Sequence, residues 1–168
     1  SYLAEQAAIS ILKAKFLEDQ RNYEIHLTEI LLGAIDYQIP EKRGHSHRVA
    51  RYANIMAKRL DMSEAEKKRL YLESLLHDVG FLKIHYDENY QKEEYMKHPT
   101  IGHEMISPIN FYADIAPFIL YHHEWYDGYG YPSGLTGEAI PLESRIIAIA
   151  EAFDAMLSEA SYKVPVGF

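Results

Sequence analysis

Histidines and carboxylates are the side chains through which this chain could do chemistry, and their spacing suits metal ions. His77 and Asp78 are adjacent at the end of an apolar segment, so the imidazole can bind one ion while the carboxylate bridges to another. The chain has nine histidines and no cysteine, which leaves nitrogen and oxygen as the strong ligand atoms. The main candidate ligands are His45, His77, Asp78, His98, His122, His123 and Glu151.

Glu41 is a further candidate ligand because it stands four residues before His45. Residues four apart share one face of a helix, so both side chains would face the ions if the helix of His45 extends back that far. Glu41 could equally be an exposed acid at a helix start. The spacing leaves both interpretations open.

Composition narrows the classes of partner. A net charge of −8 argues against a broad basic face for duplex nucleic acid. A small phosphate ester can still bind an acidic protein when metal ions supply local positive charge. No apolar run is long enough to cross a bilayer, and no signal peptide is evident, so we expect a cytoplasmic protein without a membrane span.

The hydrophobic pattern predicts an all-α fold, a compact multi-helix bundle. An apolar stripe runs from Ile25 to Ile35, and Ser63 with Glu66 fits a capping box. We treat residues 1–40 as N-terminal helices of, or leading into, a core formed by residues 41–168. Further helices are expected over 45–60, from Ser63 to Val79 with Gly80 as the stop, from His98 onward, over Pro117–His123 and over Leu142–Leu157.

The order of these motifs resembles the HD-GYP branch of the HD superfamily of metal-dependent phosphohydrolases. The resemblance extends from about residue 41 to residue 163 and includes the run HHEWYDGYGYPSGL, which begins at His122. It implies an HD-type helical bundle with a Gly-rich GYP loop. It also implies a bacterial signalling enzyme that hydrolyses cyclic di-GMP to linear pGpG, GMP or both through a metal-bridging hydroxide, and a loop that could also contact a protein partner.

The resemblance assigns roles to the candidate ligands. It implies two or three divalent ions, with iron or manganese favoured and nickel possible. Asp78 would bridge two of them, and His77 and Asp78 would be the central catalytic residues. Carried over by position, His45, His77, Asp78 and Glu151 would hold the first ion, His98, His122 and His123 the second, and Glu41 a third.

Three positions depart from the family pattern. Phe81 replaces a lysine that contacts phosphate, Ala160 stands where an arginine is frequent, and Glu151 replaces an aspartate. We therefore expect fewer cationic side chains to contact the phosphate than in the family, while the set of metal ligands is complete. The remaining candidates for substrate contact are Lys83, Tyr131, Arg145 and Lys163.

Two alternatives to a cyclic di-GMP phosphodiesterase remain open at this point. One is a degenerate HD-GYP domain that binds a nucleotide or a partner with little turnover. The other is a phosphohydrolase of another nucleotide, because fold and metals do not fix the substrate.

Overall fold

The structure is a computed structural model that describes residues 2–85 and 92–157. Every regular element within these ranges is helical, which confirms the all-α prediction. The α-helices are α1 (Tyr2–Gln38), α2 (His45–Arg59), α3 (Glu64–Leu76), α4 (Lys92–Tyr95), α5 (His98–Ile106), α6 (Ala116–Leu120) and α7 (Leu142–Leu157). Short 3₁₀ helices cover Pro40–Lys42, Val79–Lys83 and Gly137–Ala139.

Helix α1 joins the bundle only through its C-terminal third. Its buried residues are Thr28, Leu32 and Ile35, which share one face. The predicted stripe is therefore wrong in part, because Ile25 and Ile30 are exposed. A helix with apolar residues on every side gives no sharp period, so tertiary contacts decide which face is buried.

Helices α2, α3 and α7 form the core beside the candidate ligands. Small residues on α2 let its neighbours approach closely: Ala53 and Ala57 are fully buried. They pack in one cluster with Leu70 of α3 and Ile147 of α7. The capping box predicted at Ser63 is confirmed, since its hydroxyl and backbone pair reciprocally with Glu66 at the start of α3.

The predicted end of α3 is wrong. The helix ends at Leu76 rather than Val79, and a 3₁₀ helix follows. Gly80 is not a left-handed helix stop. A Cβ there would lie 2.0 Å from the carbonyl oxygen of His98 and 2.7 Å from the backbone nitrogen of Gly102. Glycine is needed because α5 crosses the chain at this point.

Helix α6 also ends earlier than predicted, at Leu120 rather than His123. His122 and His123 therefore follow the helix instead of occupying its last turn. The two rings lie 4.2 Å apart, centroid to centroid, and both can face one cavity.

Glu73 is a fully buried acid in the middle of α3. Arg69 Nε forms an ion pair with its Oε1 at 3.3 Å, but neither carboxylate oxygen accepts a hydrogen bond of good geometry from a residue in the described ranges. Burial, together with the nearby Glu143, raises the pKa of Glu73 to about 8, and Arg69 only partly opposes this. The folded state therefore keeps this proton at a pH where the unfolded state releases it.

We predict that Glu73→Gln stabilises the protein increasingly as pH rises. A raised folded-state pKa means that the wild type loses stability between about pH 4.5 and pH 8, and glutamine removes that loss. At pH 8.5 the gain should be about 1–3 kcal/mol. Thermal melts from pH 5 to 8.5 measure it, with exposed Glu64→Gln as the control. An equal melting-point difference at every pH would contradict the prediction.

Candidate metal centre

Helix ends deliver nearly all of the candidate ligands to one cavity. His45 begins α2, His98 begins α5, and the pairs His77-Asp78 and His122-His123 follow α3 and α6. Side chains at helix ends can converge without competing for space along a shared helix. The exception is Glu151, which lies in the middle of α7.

The ligand atoms form two groups that share access to one carboxylate. In each group the atoms lie within 4.8 Å of one another: His45 with His77 and Asp78, and His98 with His122 and His123. Asp78 Oδ2 lies 3.5 Å from His77 Nε2 and 3.7 Å from His45 Nε2. Its other oxygen, Oδ1, lies 3.4 Å from His98 Nε2. One buried carboxylate therefore faces both groups.

Backbone carbonyls fix which ring nitrogen of three histidines carries the proton. In each case Nδ1 lies within hydrogen-bonding distance of the carbonyl oxygen three residues earlier in the chain. Because a carbonyl can only accept, Nδ1 must donate, and Nε2 of the neutral ring keeps a free lone pair. The pairs are His77 with Ser74 at 2.7 Å, His98 with Tyr95 at 2.7 Å, and His122 with Ile119 at 2.6 Å.

These lone pairs point at one another and lack hydrogen-bond donors. His98 Nε2 and His122 Nε2 are 3.1 Å apart although neither carries a hydrogen. Within the described ranges, the buried Nε2 atoms of His45, His77 and His123 and Asp78 Oδ1 have no hydrogen-bond partner. Buried polar atoms without partners are costly, and a cation bound by each group would satisfy them. The donor set therefore fits divalent metal ions.

The protonation states also suit metal binding. Burial is the main cause that lowers the pKa of His77 to about 4, and it likewise lowers the pKa values of His98, His122 and His123. Burial opposes ionisation of Asp78, but the surrounding histidines and Lys42 hold its pKa well below the usual range. At neutral pH these four histidines present neutral imidazoles to an ionised Asp78.

Glu151 lies near both Lys42 and the second group. Its Oε2 is 3.8 Å from His123 Nε2, and its Oε1 is 3.9 Å from Lys42 Nζ. Its charge also acts on His77 of the first group. The assignment of Glu151 to the ion of His45 and His77 stays a prediction.

The helix expected to join Glu41 to His45 does not exist. A 3₁₀ helix, Pro40–Lys42, and a left-handed Gly44 with φ of 70° precede α2. Glu41 is exposed as a result and belongs to neither ligand group, so the premise of a shared helix face is wrong. Its neighbour Lys42 enters the cavity instead, with Nζ 2.7 Å from Asp78 Oδ2 and 3.3 Å from the Tyr95 hydroxyl.

Phe81 packs directly against one of the candidate ligands. It is 1% exposed, and its ring stacks on His98 with centroids 4.2 Å apart and an interplanar angle of 16°. Tyr131, in the Gly-rich loop of residues 127–136, stacks on His123 with ring centroids 4.8 Å apart. The loop is held by the buried Glu124, which accepts backbone hydrogen bonds from Ser133 at 2.6 Å and Leu135 at 2.8 Å.

Lys83 and Arg145 are the other candidates for substrate contact within the described residues. Lys83 is exposed at the end of its 3₁₀ helix, and Arg145 is half-buried on α7. Neither has a contact to the ligand groups among those found in the described ranges. Lys163 and Ala160 lie outside the described residues, so their proposed roles stay predictions.

Comparison with known proteins identifies the family. The HD domain family model matches residues 29–166, which is most of the chain. The chain belongs to the HD domain family. This result, together with the relatives described next, confirms the family predicted from the sequence.

Several curated relatives of this HD domain are named as phosphodiesterases. The cyclic di-GMP phosphodiesterase response regulator RpfG of Xanthomonas campestris is 40% identical over 79% of this chain and 38% of its own length. A cyclic di-GMP phosphodiesterase of Thermotoga maritima is 34% identical over 90% of this chain and 44% of its own. The 3'3'-cGAMP-specific phosphodiesterase 3 of Vibrio cholerae is 33% identical over 77% of this chain and 30% of its own length. The HD domain thus spans less than half the length of these relatives.

A solved structure has the same fold. The crystal structure of a cyclic GMP-AMP-specific phosphodiesterase of Vibrio cholerae, V-cGAP3, superposes with a TM-score of 0.65 at 24% identity. The match covers 82% of this chain and 41% of the other. No helix in the described part of the HD domain is long and apolar enough to span a membrane.

Asp154 is, like Lys42, a functional candidate that the sequence analysis did not single out. Its Oδ2 lies 2.7 Å from His45 Nδ1, and Arg48 donates to both of its oxygens at 2.7 and 3.0 Å. Despite burial, the hydrogen bonds from His45 and Arg48 lower the pKa of Asp154 to about 2. The carboxylate therefore orients the His45 ring as backbone carbonyls orient the others. Its position three residues after Glu151 on α7 was the available signal.

We predict that Asp154→Asn weakens metal binding at the His45 group by about 10–100-fold. The amide loses the charge that fixes the His45 tautomer, while the His98 group keeps its own carbonyl partners. Titration with Mn²⁺ measures both affinities. Arg48→Gln is the matched control, because it removes the guanidinium and leaves the His45 acceptor in place. If Arg48→Gln weakens the same ion as strongly, Asp154 acts through packing and not through His45.

Proposed function

We propose that this HD domain is a metal-dependent phosphodiesterase that hydrolyses a cyclic dinucleotide. The observation that carries the proposal is the position of Asp78, whose two oxygens face two separate groups of imidazole lone pairs. A carboxylate between two sets of nitrogen ligands suits a pair of divalent ions. The relatives named as cyclic dinucleotide phosphodiesterases support the choice of reaction.

We assign the ligands by the geometry of the two groups. His45, His77 and Asp78 would hold one ion, and His98, His122, His123 and Asp78 the other, with Glu151 within reach of the second group. Two such ions activate water and take up charge that develops on phosphate oxygens. Iron or manganese suits these nitrogen and oxygen ligands. We propose two ions rather than three, because Glu41 is exposed.

The chain's own residues orient these groups. Hydrogen bonds at Nδ1 aim each anchored imidazole, so little reorganisation is needed when substrate arrives. The rings of Phe81 and Tyr131 stack on the imidazoles of His98 and His123 and so restrict their orientation.

The substrate that we propose first is cyclic di-GMP, cleaved to pGpG, GMP or both. The relatives of Xanthomonas and Thermotoga are named for this nucleotide, and the Vibrio relative is named for 3'3'-cGAMP. Both share two phosphodiesters in a ring, so the metal centre alone does not separate them. An acidic, cysteine-free chain also fits a cytoplasmic enzyme.

A binding module with little turnover is the second candidate function. Two observations favour it: Phe81 is buried where the family has a phosphate-contacting lysine, and Lys42 already pairs with Asp78. Such a domain would bind a nucleotide and signal without hydrolysis.

A turnover assay separates the two functions. The protein is loaded with Mn²⁺ or with Fe²⁺ under anaerobic conditions and incubated with cyclic di-GMP, 3'3'-cGAMP or pGpG, and products are separated by chromatography. Metal-dependent conversion of a cyclic dinucleotide supports the phosphodiesterase. Nucleotide binding with no product from either ion would favour the binding module.

We predict that Asp78→Ala removes both metal ions, whereas His98→Ala mainly weakens one. Asp78 offers an oxygen to each group, while His98 offers one nitrogen to a single group. Metal content after dialysis against Mn²⁺ measures the difference. Equal losses in the two variants would rule out a shared carboxylate.

We predict that Phe81→Lys destabilises the protein rather than restoring phosphate contact. The substitution removes a buried ring that stacks on His98 and places a second ammonium beside Lys42. Loss of a buried phenylalanine costs about 3–5 kcal/mol. Thermal melting measures this loss, and Phe81→Leu, which keeps an apolar side chain, should lose less. A normal melting point with a lowered KM would show that position 81 can still supply the cation.

A further inference from the structure

Lys42 is a cation built into the candidate metal centre. It ends the 3₁₀ helix Pro40–Lys42, and its side chain is 20% exposed. Its ammonium donates to Asp78 Oδ2 at 2.7 Å and to the Tyr95 hydroxyl at 3.3 Å. No other lysine or arginine in the described ranges pairs with Asp78.

Aromatic rings hold the ammonium in this position. Nζ lies 4.9 Å from the centroid of the Phe81 ring and 5.6 Å from that of Tyr95. Ring faces attract a cation at these distances. A lysine at position 81 would repel Lys42, so the phenylalanine and the ammonium are mutually compatible.

The ammonium makes the two ligand groups unequal. It binds Oδ2, the oxygen of Asp78 that faces His45 and His77. Oδ1 faces His98 and has no hydrogen-bond partner among the described residues. An ion at the His98 group therefore finds a free oxygen, whereas an ion at the His45 group must share or displace the ammonium.

We propose that Lys42 competes with the metal ion of the His45–His77 group, so that the His98–His122–His123 group binds its ion first and more tightly. The inference rests on the proposed metal centre and goes beyond it by ranking its two sites. Like charges repel strongly at short range when water is largely excluded, so Lys42 weakens the divalent ion beside it. The second ion must then share Asp78 Oδ2 with the ammonium or displace it.

Titration with Mn²⁺ alone tests this ranking, with free Mn²⁺ followed by electron paramagnetic resonance. The wild type should show one tight and one weaker site. His45→Ala should abolish the weaker site, and His98→Ala should impair the tighter one. Lys42→Gln should tighten the weaker site by about tenfold or more, because it removes the competing charge.

Three control variants distinguish the loss of the Lys42 charge from a loss of folding stability. Lys58→Gln removes the same charge from an exposed position on α2 and should change neither affinity. Lys42→Arg keeps the cation and should leave the weaker site weak. Lys42→Met keeps the alkyl stem over Phe81 and should change metal affinity as Lys42→Gln does. This variant tests the inference if Lys42→Gln lowers the melting point.

Each remaining outcome overturns the inference in a recognisable way. Two equal wild-type affinities, or a weaker site unchanged or loosened in both Lys42→Gln and Lys42→Met, refute the competition. Absence of any Mn²⁺ binding refutes the metal centre and the inference together. Metal binding with the predicted ranking but no turnover refutes only the phosphodiesterase, since this titration uses no nucleotide.

Discussion

The structure depends on a carboxylate, Asp78, that stays ionised while fully buried. A bare charge in this position would be strongly unfavourable. Imidazole groups and one ammonium surround it, and the Nε2 lone pairs of His77, His98 and His122 stay free because Nδ1 of each ring donates to a backbone carbonyl. Imidazole lone pairs and carboxylate oxygens that are buried together without hydrogen-bond donors form a strong site for cations.

Helix termini make this arrangement possible. The i−3 hydrogen bonds that fix His77 and His122 use carbonyls from the ends of α3 and α6, which have no partner within the helix. Capping and ligand orientation are thus performed by one interaction. His45 differs, because its Nδ1 pairs with a carboxylate of another helix, Asp154.

Phe81, Lys42 and Glu151 lie next to the candidate ligands and affect metal binding together. Phe81 covers His98, and its ring also lies beneath the Lys42 ammonium. Glu151 reaches toward both Lys42 and His123. Changing any one of them alters the charge or the space available to the other two, so their effects on metal binding should not be additive.

The sequence by itself determined the helical class, the HD family and the convergence of the histidines with Asp78, because a motif order of this specificity requires one constellation. It did not determine that Lys42 rather than Glu41 enters the cavity. That choice depends on the 3₁₀ helix and left-handed Gly44 before α2, which periodicity does not reveal. Asp154 and Phe81 acquire their roles only through contacts with residues 109 and 17 positions away, His45 and His98. Such contacts between distant segments exist only once the helices have packed.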